Sequence, residues 1–380
     1  MTQPSEFAEC RVLIVEDNFM NRQLVAALLG TMGISLIETA EDGLEGLERL
    51  TGFTPDIIIL DIMMPRMDGF EFLSRLRADP VHGDIPVLVT TALSEREERA
   101  MAFDAGASDY VVKPIDQREF IARASVHLRT RQLVGRLRRY QDRLQRDLAA
   151  AEAMQVGLLP VPARIKAIES AYGVRIGSVF RNSSELGGDL WDVVAIDPDR
   201  FGVYLVDFSG HGIAAAINTF RLHVLMAKLA DQAVDPAALL DRVNQALLSV
   251  LQRGQFATMI YAVFDMARRK VLFASAGGTA PVHRAADGTA GLLISHSHPL
   301  GLVAEAPYKT IEAPFGPGCA LMVYSDGLSE ANDGQGGLLG EERVRQLAET
   351  CSGDMDAEMR SLAERGYTFD DDLSVVWVSH

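Results

Sequence analysis

Runs of apolar residues in this chain repeatedly end in an aspartate. In the first third, residues 12–15 are followed by Glu16 and Asp17, and residues 57–60 are followed by Asp61. In the second half, the strings GGDLWD, VDFSGHG, YSDGLSE and DDDLS repeat the pattern at residues 187–192, 206–212, 324–330 and 370–374. A carboxylate just past a buried strand is held rigidly at a sheet edge, and several that converge require a divalent cation to coexist. The sequence therefore predicts two acidic phosphate sites that depend on Mg²⁺ or Mn²⁺.

Length, charge and cysteine content narrow the class of protein. A chain of 380 residues is long enough for two domains, each with its own core. The net charge of −16 argues against nucleic acid as a partner, because nothing offsets repulsion from phosphate. The three cysteines are scattered, as expected for reduced thiols of a cytoplasmic protein. No apolar run approaches the ~20 residues of a membrane span, so we expect none.

The first third of the chain alternates between strand and helix patterns. Five short apolar runs are typical of buried parallel strands, at residues 12–15, 34–37, 57–60, 86–90 and 110–112. Amphipathic stretches between them include residues 20–32 and 95–105. Five such βα units predict a doubly wound α/β sheet, whose active edge lies at the carboxyl ends of the strands.

Five polar residues fall at that predicted edge: Glu16, Asp17, Asp61, Thr91 and Lys113. Three clustered carboxylates cannot all ionise comfortably unless a cation neutralises them. We therefore expect Mg²⁺ beside Asp61, which is the carboxylate able to act as nucleophile toward a phosphoryl group. Lys113 would supply a point charge for the phosphoryl oxygens, and the Thr91 hydroxyl would bond another oxygen.

This constellation resembles the receiver domain of response regulators. The matching strings, in order within residues 12–115, are VLIVEDN, ILDIMMPRMDGFEFL, VLVTTAL and ASDYVVKPI. The resemblance implies that a histidine kinase phosphorylates Asp61 and that the Met63 carbonyl completes the Mg²⁺ shell. It also implies a cis peptide before Pro114 and a switch role for Tyr110, which moves inward on phosphorylation. The alternative is a Rossmann-like domain that has lost its switch, and the five matching positions argue against it.

A long segment without a strong helix breaker follows. A coiled-coil-like seam with one stutter runs along it, at Leu133, Leu137, Tyr140, Leu144, Leu148 and Ala151. A helix this long and polar has too little surface to bury against itself. We expect a parallel homodimer that carries a signal between domains; a solvated spacer helix packed on its own domains is the alternative.

From residue 172 onward the pattern changes to the period of two that is typical of strands. Candidate strands are residues 174–180, 190–196, 201–206, 259–264, 270–274, 321–324 and 373–378. Two helical stretches intervene, at residues 212–230 and 236–251. This order predicts an α+β domain of two stacked β-sheets flanked by helices. We expect a first domain at residues 1–124, a helical linker at 125–160 and a second domain at 161–380.

The acidic strings of this region resemble the metal-dependent serine/threonine phosphatases of the PPM class, in their SpoIIE/RsbU-like form. Five strings carry the resemblance in order: LGGDLWDV, VDFSGHGIAAA, FATMIYAVFD, LMVYSDGLSEAND and FDDDLSVVWV. Before them, residues 151–160 (AEAMQVGLLP) resemble the segment with which that family's domain begins. The resemblance implies a catalytic metal site made of Asp189, Asp207, Asp326 and Asp371, with Asp372 and the Phe208 carbonyl as further ligands. Which of Asp371 and Asp372 ligates directly stays open.

The expected chemistry needs no side-chain nucleophile. Two cations, Mn²⁺ or Mg²⁺, would lower the pKa of a bridging water so that hydroxide attacks phosphorus near neutral pH. Asp192 is expected to contribute through water. His211 is expected to be structural rather than a general acid, and His296 and His298 lack a partner for a zinc site. Gly278 stands where the family commonly has histidine, which bears on substrate choice.

Together the two resemblances imply a response regulator with a phosphatase output. The expected substrate is a phosphoserine or phosphothreonine protein, by family analogy a phosphorylated anti-sigma-factor antagonist. The alternative is a catalytically inactive adaptor that binds a sigma or anti-sigma factor under receiver control. The four retained acidic ligands favour the enzyme. A serine kinase is disfavoured, because the sequence has no Walker motif or Gly-rich ATP loop.

Overall fold

The structure, a computed structural model, describes residues 6–92, 96–184, 186–210, 212–229 and 234–380. The chain divides into two compact units, Met1–Arg143 and Leu144–His380. A 40-residue helix, α5 (Gln117–Val156), begins in the first unit and ends in the second. Within the described ranges, no helix combines the length and apolar character that crossing a bilayer requires.

The first unit is a five-stranded parallel sheet. Its strands are β1 (Arg11–Val15), β2 (Leu36–Ala40), β3 (Ile57–Asp61), β4 (Val87–Thr91) and β5 (Asp109–Val112). Before α5 come α1 (Phe19–Thr31), α2 (Gly43–Leu50), α3 (Gly69–Ala78) and α4 (Arg96–Asp104). The spatial order β2-β1-β3-β4-β5 reverses between β1 and β3, where ligands bind in this class of sheet. The predicted doubly wound fold is confirmed.

Burial explains which strands were easiest to predict. Every residue of β3 and β4 is buried, so both are continuous apolar runs. The edge strand β2 begins at Leu36 rather than at residue 34. Ile34 instead lies just after α1 and caps the end of that helix, because its N–H donates to the Leu29 carbonyl at 3.2 Å. Of the predicted helix at 95–105, residue 95 lies outside the described ranges.

The second unit holds two antiparallel sheets of five strands. One has the order β13-β10-β9-β8-β7 and the other β12-β11-β14-β15-β6. The strands are β6 (Arg175–Arg181), β7 (Asp189–Asp197), β8 (Arg200–Phe208), β9 (Ala257–Asp265), β10 (Lys270–Ala276), β11 (Val282–Arg284), β12 (Ala290–Leu292), β13 (Ile311–Pro314), β14 (Ala320–Tyr324) and β15 (Leu373–Ser379). The helices are α6 (Pro162–Tyr172), α7 (Ile213–Leu229), α8 (Pro236–Leu248), α9 (Asp326–Ser329), α10 (Gly340–Thr350) and α11 (Met355–Glu364).

Strand alternation sorts the core of this unit into layers. Odd-numbered residues of β7 and β8, such as Trp191 and Leu205, pack with Val323 and Val376 of the other sheet. Even-numbered residues, such as Tyr204, pack instead against α7 and α8. The outer face of the other sheet is covered by α10 and α11. The unit is therefore the predicted α+β sandwich of stacked sheets flanked by helices.

Candidate metal centres

The first acidic site lies at the carboxyl ends of β1, β3 and β5. Glu16, Asp17 and Asp61 each offer a carboxylate oxygen within 4.8 Å of the other two. Nζ of Lys113 lies 2.8 Å from Oδ2 of Asp61 and 2.8 Å from Oε2 of Glu16. In the described ranges, no other set of three or more Asp, Glu, His or Cys side chains meets this distance limit.

The side chains of this site carry more negative than positive charge, so a cation can be bound there. Burial raises the pKa of Asp61, and Glu16 adds to the rise while Lys113 opposes it. Burial also lowers the pKa of Lys113, but its hydrogen bonds to Asp61 and Glu16 outweigh burial, so that pKa is raised. One ammonium therefore faces three carboxylates. This oxygen-only donor set, with Asp17 exposed to solvent, fits a hard divalent cation.

The other residues predicted at this edge also lie there. Thr91 is the buried last residue of β4, and Met63 is exposed in the loop after β3. Tyr110 of β5 is partly buried, with its ring edge-on to Phe103 at 5.7 Å. The peptide bond before Pro114 is cis, as predicted.

Sequence reasoning missed an arginine that shapes this site. Arg22 is buried on α1, and its Nη1 donates to the backbone carbonyls of Glu16 at 2.6 Å and Asp17 at 3.0 Å. Beside it, Nδ2 of Asn21 donates to Oε1 of Glu16 at 2.9 Å. Helix α1 therefore holds the acidic pair in place. The available signal was an arginine three residues before Val25, on the apolar face of the helix.

The second acidic site draws on both sheets of the sandwich. Asp189 of β7 and Asp207 of β8 are directly opposite each other in the antiparallel register. Both are odd-numbered, so their side chains enter the space between the sheets. From the other sheet, Asp326 lies two residues after the end of β14, as the first residue of α9, and Asp371 lies two residues before the neighbouring strand β15.

The pKa values show that these carboxylates influence one another. Burial raises the pKa of Asp207 to about 7, and the rise is increased by Asp326, Asp371 and Asp372. Burial also raises the pKa of Asp189 well above its ordinary value, with Asp207 as the next cause. Burial likewise raises the pKa of Asp326, and Asp371 adds to that rise. These influences link the four predicted catalytic aspartates into one cluster, which is looser than the first site, because no three of its carboxylates offer oxygens that all lie within 4.8 Å of one another.

Asp189 provides the test of whether this cluster fits metal ions. The residue is 1% exposed, yet neither of its carboxylate oxygens has a hydrogen-bond partner, although Ser325 and Ser374 lie nearby. A buried carboxylate without a donor is costly unless a cation compensates it. The donor set therefore fits divalent cations at this site.

Asp371 and Asp372 differ in their surroundings. Asp372 is buried, and its Oδ1 accepts hydrogen bonds from the N–H of Ser183 at 2.8 Å and from its hydroxyl at 2.9 Å. Oδ2 of Asp372 accepts from the N–H of Gly188 at 2.6 Å. Asp371 is exposed to solvent and influences Asp207 and Asp326. The buried Asp372 is thus held by Ser183 and Gly188, whereas the exposed Asp371 accepts one hydrogen bond, from the N–H of Asp372 at 2.8 Å.

Two adjacent glycines allow the backbone to approach this cluster closely. A Cβ on Gly188 would lie 2.4 Å from the carbonyl oxygen of Phe208, and one on Gly187 would lie 2.3 Å from Oδ2 of Asp372. A side chain at position 188 would therefore require movement of the backbone, and one at position 187 would displace the side chain of Asp372. The Phe208 carbonyl, predicted to assist metal binding, is therefore adjacent to the turn that carries Asp189.

Asp192 does not belong to the cluster. It is even-numbered, so it lies on the helix-facing side of its sheet, where its Oδ2 accepts from Nη1 of Arg164 at 3.1 Å. The expectation that it contributes to the metals through water is wrong, because strand alternation places it on the opposite face from Asp189. His211 lies outside the described residues, and His296 and His298 are both exposed.

Comparison with known proteins assigns each unit to a family. Residues 12–125 match the response regulator receiver domain, and residues 197–380 match the family of Stage II sporulation protein E (SpoIIE). The DNA-binding dual master transcriptional regulator RpaA of Synechocystis sp. (strain ATCC 27184 / PCC 6803 / Kazusa) is 37% identical over 159 residues, which are 42% of this chain and 61% of RpaA. Phosphoserine phosphatase RsbP of Bacillus subtilis (strain 168) is 30% identical over 161 residues, which are 41% of this chain and 40% of RsbP. The chain thus spans less than two thirds of either relative.

One solved structure shares the fold of the second unit. The SiaA-PP2C domain of Pseudomonas aeruginosa superposes with a TM-score of 0.56 at 23% identity, covering 63% of this chain and 98% of that domain. The receiver match includes the first acidic site, and the SpoIIE match includes Asp207, Asp326 and Asp371 of the second site, whereas Asp189 lies before it. The chain therefore contains a response regulator receiver domain, matched over residues 12–125, and a PPM-type phosphatase domain of the SpoIIE family, matched over residues 197–380, with the long helix α5 linking the two.

Proposed function

We propose that phosphorylation of Asp61 controls metal-dependent dephosphorylation of a phosphoserine or phosphothreonine protein by the second unit. The observation that carries this proposal is the convergence of Asp189, Asp207, Asp326 and Asp371 at one end of the sandwich. When bound there, Mn²⁺ or Mg²⁺ supplies activated water and neutralises charge on the phosphoryl oxygens. Similarity to RsbP, which is named a phosphoserine phosphatase, supports the substrate class.

Within this site, the aspartates have different proposed roles. Asp207 would contribute to holding both cations, since it lies opposite Asp189 and its pKa is influenced by Asp326 and Asp371. The Phe208 carbonyl assists. Asp371 would act as a direct ligand, since it is exposed and contributes to the raised pKa values of Asp207 and Asp326. Asp372, whose oxygens already accept three hydrogen bonds, holds the Gly188 turn in place.

The receiver site works as a phosphoryl acceptor with Mg²⁺ bound by Glu16, Asp17, Asp61 and the Met63 carbonyl. A histidine kinase is the proposed donor. Lys113 already lies 2.8 Å from the acceptor carboxylate, so it is placed to meet an incoming phosphoryl oxygen. Thr91 completes the contacts to the phosphoryl group.

A contact on β5 suggests how phosphorylation reaches the linker. The guanidinium of Arg123, on α5, lies over the ring of Tyr110 at 5.5 Å and donates to Oδ1 of Asp109 at 2.6 Å. Movement of the Tyr110 ring therefore changes the packing of α5 directly. The signal then passes along the linker helix.

The linker helix is proposed to form a parallel homodimer. Its seam residues Leu133, Leu137, Tyr140 and Leu144 are 63%, 58%, 66% and 44% exposed, although each is a large apolar or aromatic side chain. Their spacing of four, three and four residues matches a coiled coil. In a parallel pair in register, each of these side chains meets its own copy, so the second chain covers the whole stripe.

By analogy, the protein substrate is a phosphorylated anti-sigma-factor antagonist. The purified chain is expected to hydrolyse a phosphoserine peptide in the presence of Mn²⁺, and to lose this activity with EDTA or with Asp326→Asn. Asp199→Asn, an exposed aspartate in the β7–β8 turn, is the matched control and should keep full activity. Absence of turnover with every metal, and with the receiver phosphorylated, would instead favour the adaptor.

Control by the receiver has its own test. Asp61→Asn is expected to remove the response of phosphatase activity to a small-molecule phosphodonor while leaving basal activity intact. A variant that still responds to the phosphodonor would show that another residue accepts the phosphoryl group.

A further inference from the structure

The last turn of the linker helix contains one fully buried polar side chain. Gln155 is 0% exposed, whereas residues 152–154 beside it are exposed. It is the second-last residue of α5 and lies in the second compact unit. A buried carboxamide is stable only where its donor and acceptor both find partners, so its partners show what this end of the helix binds.

Those partners belong to the turn before Asp189. Nε2 of Gln155 donates to the carbonyl of Gly187 at 2.8 Å, and Oε1 accepts from the N–H of the same glycine at 3.2 Å. Nε2 also lies 3.5 Å from the hydroxyl of Thr219 on α7, and Oε1 accepts from Nδ2 of Asn182 at 3.4 Å. One side chain thus binds both backbone groups of Gly187.

The same turn is held from its other side by Asp372. Oδ2 of Asp372 accepts from the N–H of Gly188, and this oxygen lies where a side chain on Gly187 would otherwise be. The next residue is Asp189, whose position opposite Asp207 depends on this turn. The turn is therefore held by hydrogen bonds with Gln155 of the linker helix on one side and with Asp372, just before β15, on the other.

We propose that Gln155 is a positioning residue through which the end of α5 sets the placement of Asp189 and thereby the metal affinity of the second site. This inference rests on the proposed metal site. A shift of the helix end by one residue moves Gln155 about 1.5 Å along the helix axis, which disturbs the geometry of both bonds to Gly187. The linker helix then acts on metal binding rather than on contact with the substrate.

The test replaces the amide and keeps the length. Gln155→Met in the full-length chain is expected to weaken Mn²⁺ binding at the second site about tenfold or more, as for other residues that orient metal ligands. Activity lost at low Mn²⁺ should return at high Mn²⁺, with KM for the phosphopeptide unchanged. In metal-free protein, hydrogen exchange at residues 187–188 should become faster. Gln145→Met, at an exposed glutamine of the same helix, is the control and should change none of these.

Gln155→Asn keeps the amide but is too short to reach Gly187, so it should resemble Gln155→Met. Wild-type Mn²⁺ affinity in either folded variant would overturn the inference, as would unchanged exchange at residues 187–188. If the wild-type chain binds no Mn²⁺ at the second site, the proposed function fails instead. The exchange measurement then still decides whether Gln155 holds the turn.

Discussion

At the scale of single residues, substitutions of the neighbouring Asp371 and Asp372 are expected to have different effects, one on metal binding and the other on stability. Asp372→Asn should lower the free energy of unfolding by about 2–4 kcal/mol, because it disrupts buried hydrogen bonds to a charged group. Asp371→Asn should leave stability nearly unchanged and weaken Mn²⁺ binding, because Asp371 is exposed. Urea denaturation in EDTA and Mn²⁺ titration measure the two effects. A reversed order of effects would show that the two roles are exchanged.

A second residue-scale prediction concerns Asp189 without metal. Asp189→Asn should raise the free energy of unfolding of the metal-free protein, since it removes a carboxyl group whose charged form is disfavoured first by burial and then by Asp207. With Mn²⁺ at 100 times its dissociation constant, the wild type should gain about 2.7 kcal/mol and the variant should lose this gain. Thermal melts with EDTA and with Mn²⁺ check both statements. Destabilisation of the metal-free variant would contradict the argument from buried charge.

The acidic residues were predictable from the sequence because they follow strong apolar runs. The residues that hold them were not. Arg22 binds backbone carbonyls five and six residues before it, across the turn between β1 and α1, and Gln155 binds Gly187, which is 32 residues away. The unequal roles of Asp371 and Asp372 likewise depend on which side chain turns toward Gly188. Such partners exist only after the strands have paired.

At the scale of elements, the linker helix gives the sharpest prediction. Leu137→Glu should dissociate the proposed dimer, because it places a charge at the centre of the exposed seam. Arg139→Glu changes charge on the same helix but off the seam, so it should leave the dimer intact. Light scattering coupled to size-exclusion chromatography measures both. A wild-type chain that is monomeric at all concentrations would favour the spacer helix.

Among the strands of the second unit, length decided what could be predicted. All seven predicted strands of the second unit are present, and both predicted helices appear as α7 and α8. The strands β11 and β12 have three residues each, too few to show a period. Helices α10 and α11 were missed although their apolar spacing was visible, as in Met355, Met359 and Leu362.

At the scale of the whole molecule, the two compact units should respond differently to metal. Calorimetry of the full-length chain is expected to show two transitions, and Asp207→Asn should abolish the Mn²⁺-induced shift of only one of them. The receiver transition should keep its own shift, which Asp17→Asn should remove. A single transition that both variants affect equally would mean that the units unfold together.

The central claim is that the carboxylates of the second unit form a site for two divalent cations. Native mass spectrometry of the full-length chain with Mn²⁺ measures this most directly. We expect the wild type to carry two more tightly bound Mn²⁺ ions than Asp207→Asn, while Asp61→Asn keeps both of these ions. Equal Mn²⁺ counts in the wild type and Asp207→Asn would contradict the claim.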